Sequence, residues 1–306
     1  MRRNPSIVVL RSKAKQIQGK AEVRLQMTQS VRKPGSMMLV FVAVLLLAGQ
    51  TQPGKGRTLG KIAQPPPGIA PAVTETLTYD HVHLGVPDPA KAVEWYAKYI
   101  GLQPGPPGEP NDRLFFGKIR FIFLKTEHPL PSAGSAVDHI GLSFADLAAK
   151  MKEFEAAGIK IVTPIQEERG LFKHAFIEDP WGTKIEVLQD AETLGFHHVH
   201  LRAPDPEAAL KWYLDMFGGE RTKLKGRVDA VKYGDVWVLA EKGNATPSEG
   251  HAIDHIGWRT TMDLGAKAAE LKAKGVRFTT EPRPVRDIHM SYVEGPAAVK
   301  IELLQR

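Results

Sequence analysis

Four histidines, His81, His139, His198 and His255, recur 58, 59 and 57 residues apart, and glutamates follow the second and fourth by 47 residues, at Glu186 and Glu302. A chain with that period is built from copies of one small unit, so its fold must be one that four such units can make together. The flanking sequences repeat as well. DHVHLGVPDP at 80–89 matches HHVHLRAPDP at 197–206, AVDHIGL at 136–142 matches AIDHIGW at 252–258, and KIEVL at 184–188 matches KIELL at 300–304. An offset of 116–117 residues carries His81 onto His198, His139 onto His255 and Glu186 onto Glu302, so each half of the chain holds two histidines and one glutamate.

Each unit reads in the same order. A short β-branched run carrying the histidine leads to Asp88, Asp146, Asp205 or Asp263, each placed to cap a helix N-terminus. Pro89 and Pro206 follow the first and third caps, where a missing N–H costs nothing. Apolar residues then fall at helical spacing, as in Val93, Tyr96, Ala97 and Ile100, and Gly101, Gly158, Gly218 and Gly275 stand where left-handed C-caps belong. Strand-like runs such as RFIFL at 120–124 and VWVLA at 236–240 complete the unit. The expected module is βαβββ, present four times, in an α+β fold.

Side chains of a strand alternate faces, so His81 and His83 point one way and Val82 and Leu84 the other; His198 and His200 repeat this. Glu186 likewise shares a face with Lys184 and Leu188, while Ile185 and Val187 turn inward. A carboxylate buried unpaired among apolar neighbours costs several kcal/mol. A divalent cation would offset that cost. With no cysteine in the chain, disulfides and thiolate ligands are excluded and any metal must take nitrogen and oxygen donors.

The formal charge of +7 does not mark a nucleic-acid binder. Residues 1–61 hold 12 of the 41 Lys and Arg against a single acid, Glu22, which leaves 29 basic and 33 acidic residues beyond them. No nucleic-acid partner is expected. The apolar run MMLVFVAVLLLA at 37–48 follows Arg32 and Lys33 and is too short to span a bilayer, which takes about 20 helical residues. It matches the apolar region of a secretory signal, so the protein is expected to be exported, periplasmic or secreted, touching membrane only if the signal stays uncleaved. The expected organisation is an N-terminal extension and signal peptide at 1–49, a Pro-rich linker at 50–75, a first two-module domain at 76–190 and a second at 196–306. A monomer or a homodimer fits this equally well.

The four βαβββ units, with histidine on the first strand and glutamate on the last of every second unit, resemble the vicinal oxygen chelate superfamily. Its members include glyoxalase I, extradiol ring-cleaving dioxygenases, fosfomycin-resistance transferases and bleomycin-resistance binding proteins. The resemblance, over residues 78–305, implies modules that pair into two cup-shaped, curved mixed sheets with helices outside and a divalent metal on the inner face. It implies His81, His139, Glu186, His198, His255 and Glu302 as ligands. Pairing consecutive modules groups His81/His139/Glu186 and His198/His255/Glu302; pairing first with fourth and second with third also gives each site two histidines and one glutamate. Both groupings stay open. The odd modules lack the glutamate, with Phe121, Ile122, Val238 and Leu239 near its place.

A set of two histidines and one carboxylate suits Fe(II) or Mn(II), with Zn(II) possible, and leaves positions open for a small-molecule substrate. Glyoxalase I differs by drawing a carboxylate from both modules. Extradiol dioxygenases add a tyrosine about ten residues before the glutamate, with histidines nearby. That pattern implies catalytic roles for Tyr292 and His289 before Glu302 and for His174 before Glu186, where Phe176 takes the tyrosine's place. His83 and His200 are expected to face the substrate or support the ligands. The expected function is that of an exported, metal-dependent, extradiol-dioxygenase-like enzyme for a small vicinal-dioxygen compound. Lyase, isomerase or transferase chemistry of the glyoxalase and fosfomycin-resistance kind is one alternative, and a non-catalytic small-molecule binder of the bleomycin-resistance kind is another. The basic cluster Arg221, Lys223, Lys225 and Arg227 is expected to be a solvated loop rather than an anion site.

Overall fold

The computed structural model describes residues 75–306. The apolar run at 37–48 and the linker before Glu75 lie outside the described residues, and no described helix is long and apolar enough to cross a membrane.

Module one comprises β1 (Thr78–Val86), α1 (Pro89–Trp95) with a π-helical turn (Tyr96–Ile100), β2 (Arg113–Phe116) and β3 (Ile119–Lys125). Module two comprises β4 (Val137–Ser143), α2 (Leu147–Ala156), β5 (Lys160–Glu167), β6 (Lys173–Glu178) and β7 (Lys184–Gln189). Module three comprises β8 (Gly195–Ala203), α3 (Pro206–Phe217), β9 (Glu220–Leu224), β10 (Val228–Tyr233) and β11 (Val236–Lys242). Module four comprises β12 (Ile253–Arg259), α4 (Leu264–Ala273), β13 (Phe278–Val285), β14 (Ile288–Glu294) and β15 (Lys300–Gln305).

All four capping aspartates accept backbone N–H bonds in the first turn of their helices: Asp88 from Ala90 and Lys91, Asp146 from Ala149, Asp205 from Ala208 and Asp263 from Ala266. Pro89 and Pro206 occupy the first turns of α1 and α3. Gly218 departs from the expected left-handed cap. Its φ of 75° goes with an extended ψ of −141°, and Thr76 packs so closely against it that an added Cβ would lie 2.7 Å from the Thr76 hydroxyl. Module one also has one strand fewer than expected. Between its helix and β2, Pro104, Pro106, Pro107 and Pro110 carry no N–H to donate to a ladder, and only an isolated Gln103–Phe115 bridge remains.

The strands form two mixed sheets, ordered β13-β14-β15-β12-β1-β3-β2 and β5-β6-β7-β4-β8-β11-β10-β9. The fold is α+β. Antiparallel pairing of β1 with β12 joins modules one and four, and that of β4 with β8 joins modules two and three. The sheets therefore follow the nested grouping and not the consecutive one. Both sheets bury their apolar faces in one shared core. The equivalent residues Tyr79 and Phe196 stack there at 5.4 Å, with Trp258 and Phe121 edge-on to them.

Helix-to-turn contacts, in contrast, link consecutive modules. In the DPWG turn, Asp179 accepts the Tyr96 hydroxyl at 2.7 Å and the backbone N–H groups of Trp181 and Thr183. The fourth module has Gly295 at that position, and the Tyr213 hydroxyl, equivalent to that of Tyr96, is buried without a hydrogen-bond partner among the described residues.

Candidate metal centres

Nesting brings six ligand-type residues together in new company. His81 and His255 meet Glu302 in an outer site between β1, β12 and β15; His139 and His198 meet Glu186 in an inner site between β4, β8 and β7. The consecutive grouping, which joins His139 to His81 and His255 to His198, is not formed. In each site one further histidine joins, His83 in the outer and His200 in the inner, and one donor atom from each of the four residues lies within 4.8 Å of the others.

The register explains this composition. Gly141 pairs with Glu186 and Gly257 with Glu302, whereas at the same positions of the odd modules His83 pairs with Ile122 and His200 with Leu239. Ile122 and Leu239 thus stand where a second carboxylate would, and a histidine stands where the even modules have glycine. The glycines have their own function. A Cβ on Gly257 would lie 2.0 Å from the His81 ring, and one on Gly141 would lie 2.1 Å from the His198 ring, so each imidazole lies in the space a side chain would fill.

In the outer site Glu302 Oε2 lies 3.1 Å from His255 Nε2, 3.4 Å from His81 Nε2 and 3.6 Å from His83 Nε2. In the inner site Glu186 Oε2 lies 3.2 Å from His198 Nε2 and 3.4 Å from His139 Nε2. The Nε2 atoms of His81, His139 and His198 are buried and make no hydrogen bond among the described residues. Their Nδ1 atoms are engaged instead: His81 with Asp80 at 3.0 Å, His139 with Asp138 at 2.7 Å and His198 with His197 at 2.9 Å. His255 pairs with Asp254 at 2.5 Å. An imidazole that gives its Nδ1 proton to a neighbour keeps a lone pair on Nε2, the form that ligates a metal. Orphaned Nε2 atoms, glycine cradles and a hard carboxylate suit a divalent cation in both sites.

Electrostatics follow from this packing. Burial opposes ionisation of Glu302 and Glu186, yet the adjacent imidazoles, His255 and His81 for the first and His139 and His198 for the second, hold both carboxyls well below the usual range. Burial likewise works against protonating His81, but Asp80 and Glu302 outweigh it and raise its pKa to about 9. Burial, helped by the charges of His255 and His81, pushes His83 well below the normal imidazole range. His200 is pushed down in the same way by burial and by His139.

The His81 shift has a consequence for stability. Its pKa of about 9 in the metal-free fold, against about 6.5 when unfolded, contributes stability that is fully present below pH 6.5. That contribution is lost as pH rises through about 9. Melting temperatures of chelator-treated protein are expected to fall from pH 6.5 to 9, and by clearly less in Asp80→Asn; equal slopes would contradict the assignment.

The remaining residues divide. The Tyr292 hydroxyl lies 3.4 Å from Glu302 Oε2, and its ring meets His255 edge-on at 5.2 Å. Phe176 holds the equivalent place beside His139 at 5.2 Å, and His174 shares the Phe176 face, 5.9 Å away. His289 is not brought into the outer site. It is exposed, and three residues before Tyr292 its side chain leaves the opposite face of β14. Of the basic cluster, Arg221 pairs with Glu207, Lys223 with Asp229, and Lys225 with Asp190 and Glu192, so these cations are already matched. A cavity of about 1000 Å³ opens over the outer site, with Ile122, Met290 and Leu304 as apolar lining and Arg113, Arg286 and Arg306 among its polar residues. The flanking Asp80, Asp138 and Asp254 and the two glycines belong to these candidate sites, and the ligand pattern alone did not single them out.

The family model described as Glyoxalase/Bleomycin resistance protein/Dioxygenase superfamily matches residues 78–187 and 195–303. Similar curated proteins include a probable chloroplastic lactoylglutathione lyase of Arabidopsis thaliana, 28% identical over 193 residues that cover 58% of this chain and 54% of that protein. The chain thus spans about half the length of the Arabidopsis relative. A lactoylglutathione lyase of Pseudomonas aeruginosa is 26% identical over 166 residues, 40% of this chain and 90% of that protein. Among solved structures, glyoxalase I from Zea mays superposes with a TM-score of 0.61 at 19% identity, covering 75% of this chain and 92% of its own. A putative dioxygenase from Bacillus subtilis superposes with a TM-score of 0.55 at 17% identity, covering 76% and 86%. At these identities the solved structures speak for the fold.

Proposed function

The chain belongs to the glyoxalase/bleomycin resistance protein/dioxygenase superfamily, and from that premise we propose that it is an exported, divalent-metal-dependent enzyme, extradiol-dioxygenase-like, acting on a small compound with two adjacent oxygens. One observation carries this reading: each site gathers several imidazoles around a single carboxylate, with no second carboxylate because Ile122 and Leu239 hold its place. In the outer site His81, His255 and Glu302 would hold the cation; in the inner site His139, His198 and Glu186 would. Bound there, a divalent cation supplies Lewis acidity toward substrate oxygens. Fe(II) and Mn(II) suit the donor set best, and Zn(II) is compatible with it.

The chain's own residues supply the rest. His83 stacks on His255 with ring centroids 4.0 Å apart and planes 19° from parallel. Lone pairs lie in the ring plane, so two stacked rings do not aim at one point, and His83 stays beside the ligand set. Held neutral by burial and flanking imidazoles, its ring keeps a lone pair that can accept a hydrogen bond from a substrate hydroxyl. The Tyr292 hydroxyl, on the other side of Glu302, can donate a hydrogen bond to a substrate oxygen. Ile122, Met290 and Leu304 would take the apolar body of the substrate and exclude water from it. The inner site, with Phe176 for Tyr292, lacks that donor.

Lactoylglutathione lyase-type chemistry is the second reading, favoured by the names of the curated relatives. Oxygen uptake by Fe(II)- or Mn(II)-loaded protein on a catechol panel separates the two, against turnover of a glutathione hemithioacetal. Catechol-dependent uptake is expected; hemithioacetal turnover without it would replace the first reading by the second. His83→Phe is expected to keep the full cation content and lower kcat by about two- to tenfold, the loss of one hydrogen bond of about 0.5–1.5 kcal/mol. An unchanged kcat would remove His83 from the chemistry.

A further inference from the structure

The two sites differ behind one ligand, where an acid and a base exchange positions and Trp237 stands in the place of Arg120. In the outer site His81 Nδ1 meets the carboxylate of Asp80 directly, and Asp80 is anchored by Arg120 at 3.0 Å and Arg306 at 3.1 Å. The repeat offset places His197 at the position of Asp80 and Asp190 at that of Arg306. Acid and base have changed strands, with an imidazole in the acid's former place. His198 Nδ1 meets His197 Nδ1 at 2.9 Å, His197 Nε2 meets Asp190 at 3.3 Å, and Lys225 holds Asp190 at 2.9 Å. His197 is fully buried, as is His198.

Only one proton arrangement leaves the Nε2 of His198 free for a ligand while both rings stay neutral. His198 donates from Nδ1 to the Nδ1 lone pair of His197, and His197 donates from Nε2 to Asp190. The carboxylate's charge therefore reaches the ligand through a neutral ring instead of directly. A carboxylate on the N–H of a ligating imidazole makes the opposite nitrogen a stronger donor, and losing such a partner typically weakens metal binding by about 10–100-fold. The other histidine of each site shows no such difference: His139 is backed by Asp138 and Lys184, and His255 by Asp254 and Lys300.

We propose that the two centres are graded in affinity, the outer site taking a divalent cation first and the inner site filling only at roughly ten- to hundredfold higher concentration, because the Asp80–Arg306 pair is replaced there by the His197–Asp190 relay. This rests on the metal reading of both sites. Calorimetric titration of the chelator-treated full chain with Mn(II), and separately with Zn(II), tests it by affinity and stoichiometry, without turnover. Two binding events are expected, with Glu302→Ala removing the tight one and Glu186→Ala the weak one. Exchanging the pair in the inner site, H197D/D190R, is expected to bring the weak event to within about threefold of the tight one, and D80H/R306D to weaken the outer site to the inner one's level. Two equal sites, or loss of the tight event in Glu186→Ala, would overturn the grading. So would exchanged variants that fold, by circular dichroism, with wild-type affinities. If an exchanged variant does not fold, the single glutamate variants still decide the order of filling. Binding of no cation at either site would overturn the metal reading and the grading with it.

Discussion

Glu302→Ala is expected to leave the full-length chain folded and to lower its divalent-cation content, measured on purified protein, by about one equivalent; Glu186→Ala should remove the other. The size of the effect follows from the donor set. Each site has a single carboxylate, and its oxygen lies 3.1–3.4 Å from the Nε2 atoms of two histidines. Without it the cation would face neutral imidazoles alone, and its charge would have no counter-ion in a buried pocket. The metal-free fold should respond as well. Glu302 also helps hold a proton on His81, so Glu302→Ala removes that pairing and should weaken the pH dependence of stability described above. In the inner site Glu186 helps Asp138 raise the pKa of His139 against burial in the same way, so Glu186→Ala should weaken that dependence too. Cation content unchanged in both variants would end the metal assignment and leave only the scaffold.

The modules, their capping aspartates and the six ligand-type residues were legible in the chain because each depends on local spacing. Which module joins which was not, and the reason is symmetry. Any odd module paired with any even one brings together two histidines and one glutamate, so the ligand count could not choose between consecutive and nested sheets. That choice is made by tertiary packing, where Tyr79 stacks on its own repeat equivalent Phe196. The shortfall of one strand in module one comes from four prolines in the segment after its helix, a signal present in the sequence. His289 was placed by its distance along the chain from Glu302, but strand parity governs direction, and an odd separation from Tyr292 turns it away. The aspartates before three of the histidines and the glycine two residues after His139 and His255 stood in the same repeats. A glycine inside a strand marks close approach of another group, which here is an imidazole from the facing module.

Those glycines give the second large effect. In Gly257→Ala the added Cβ would lie 2.0–2.6 Å from three atoms of the His81 ring, and in Gly141→Ala 2.1–2.6 Å from the His198 ring. These distances are far inside van der Waals contact, and neither ring can yield easily. His81 and His198 are fully buried, each with its Nδ1 committed to a neighbour. Either the ring swings out and its Nε2 leaves the ligand set, or the β1–β12 or β4–β8 pairing that joins two modules must part. Overpacking of this kind costs about 1–3 kcal/mol and at times more. For a domain of this size that lowers Tm by roughly 2–12 °C, and the affected site should lose its equivalent of cation. Space can be told apart from backbone preference by a compensating change. In the double variant G257A/H81A the ring is gone and the methyl group has room, so stability should recover beyond the sum of the two single effects while the outer site stays empty of cation. Gly257→Ala with wild-type Tm and two equivalents bound would show that the glycine is not there for the imidazole.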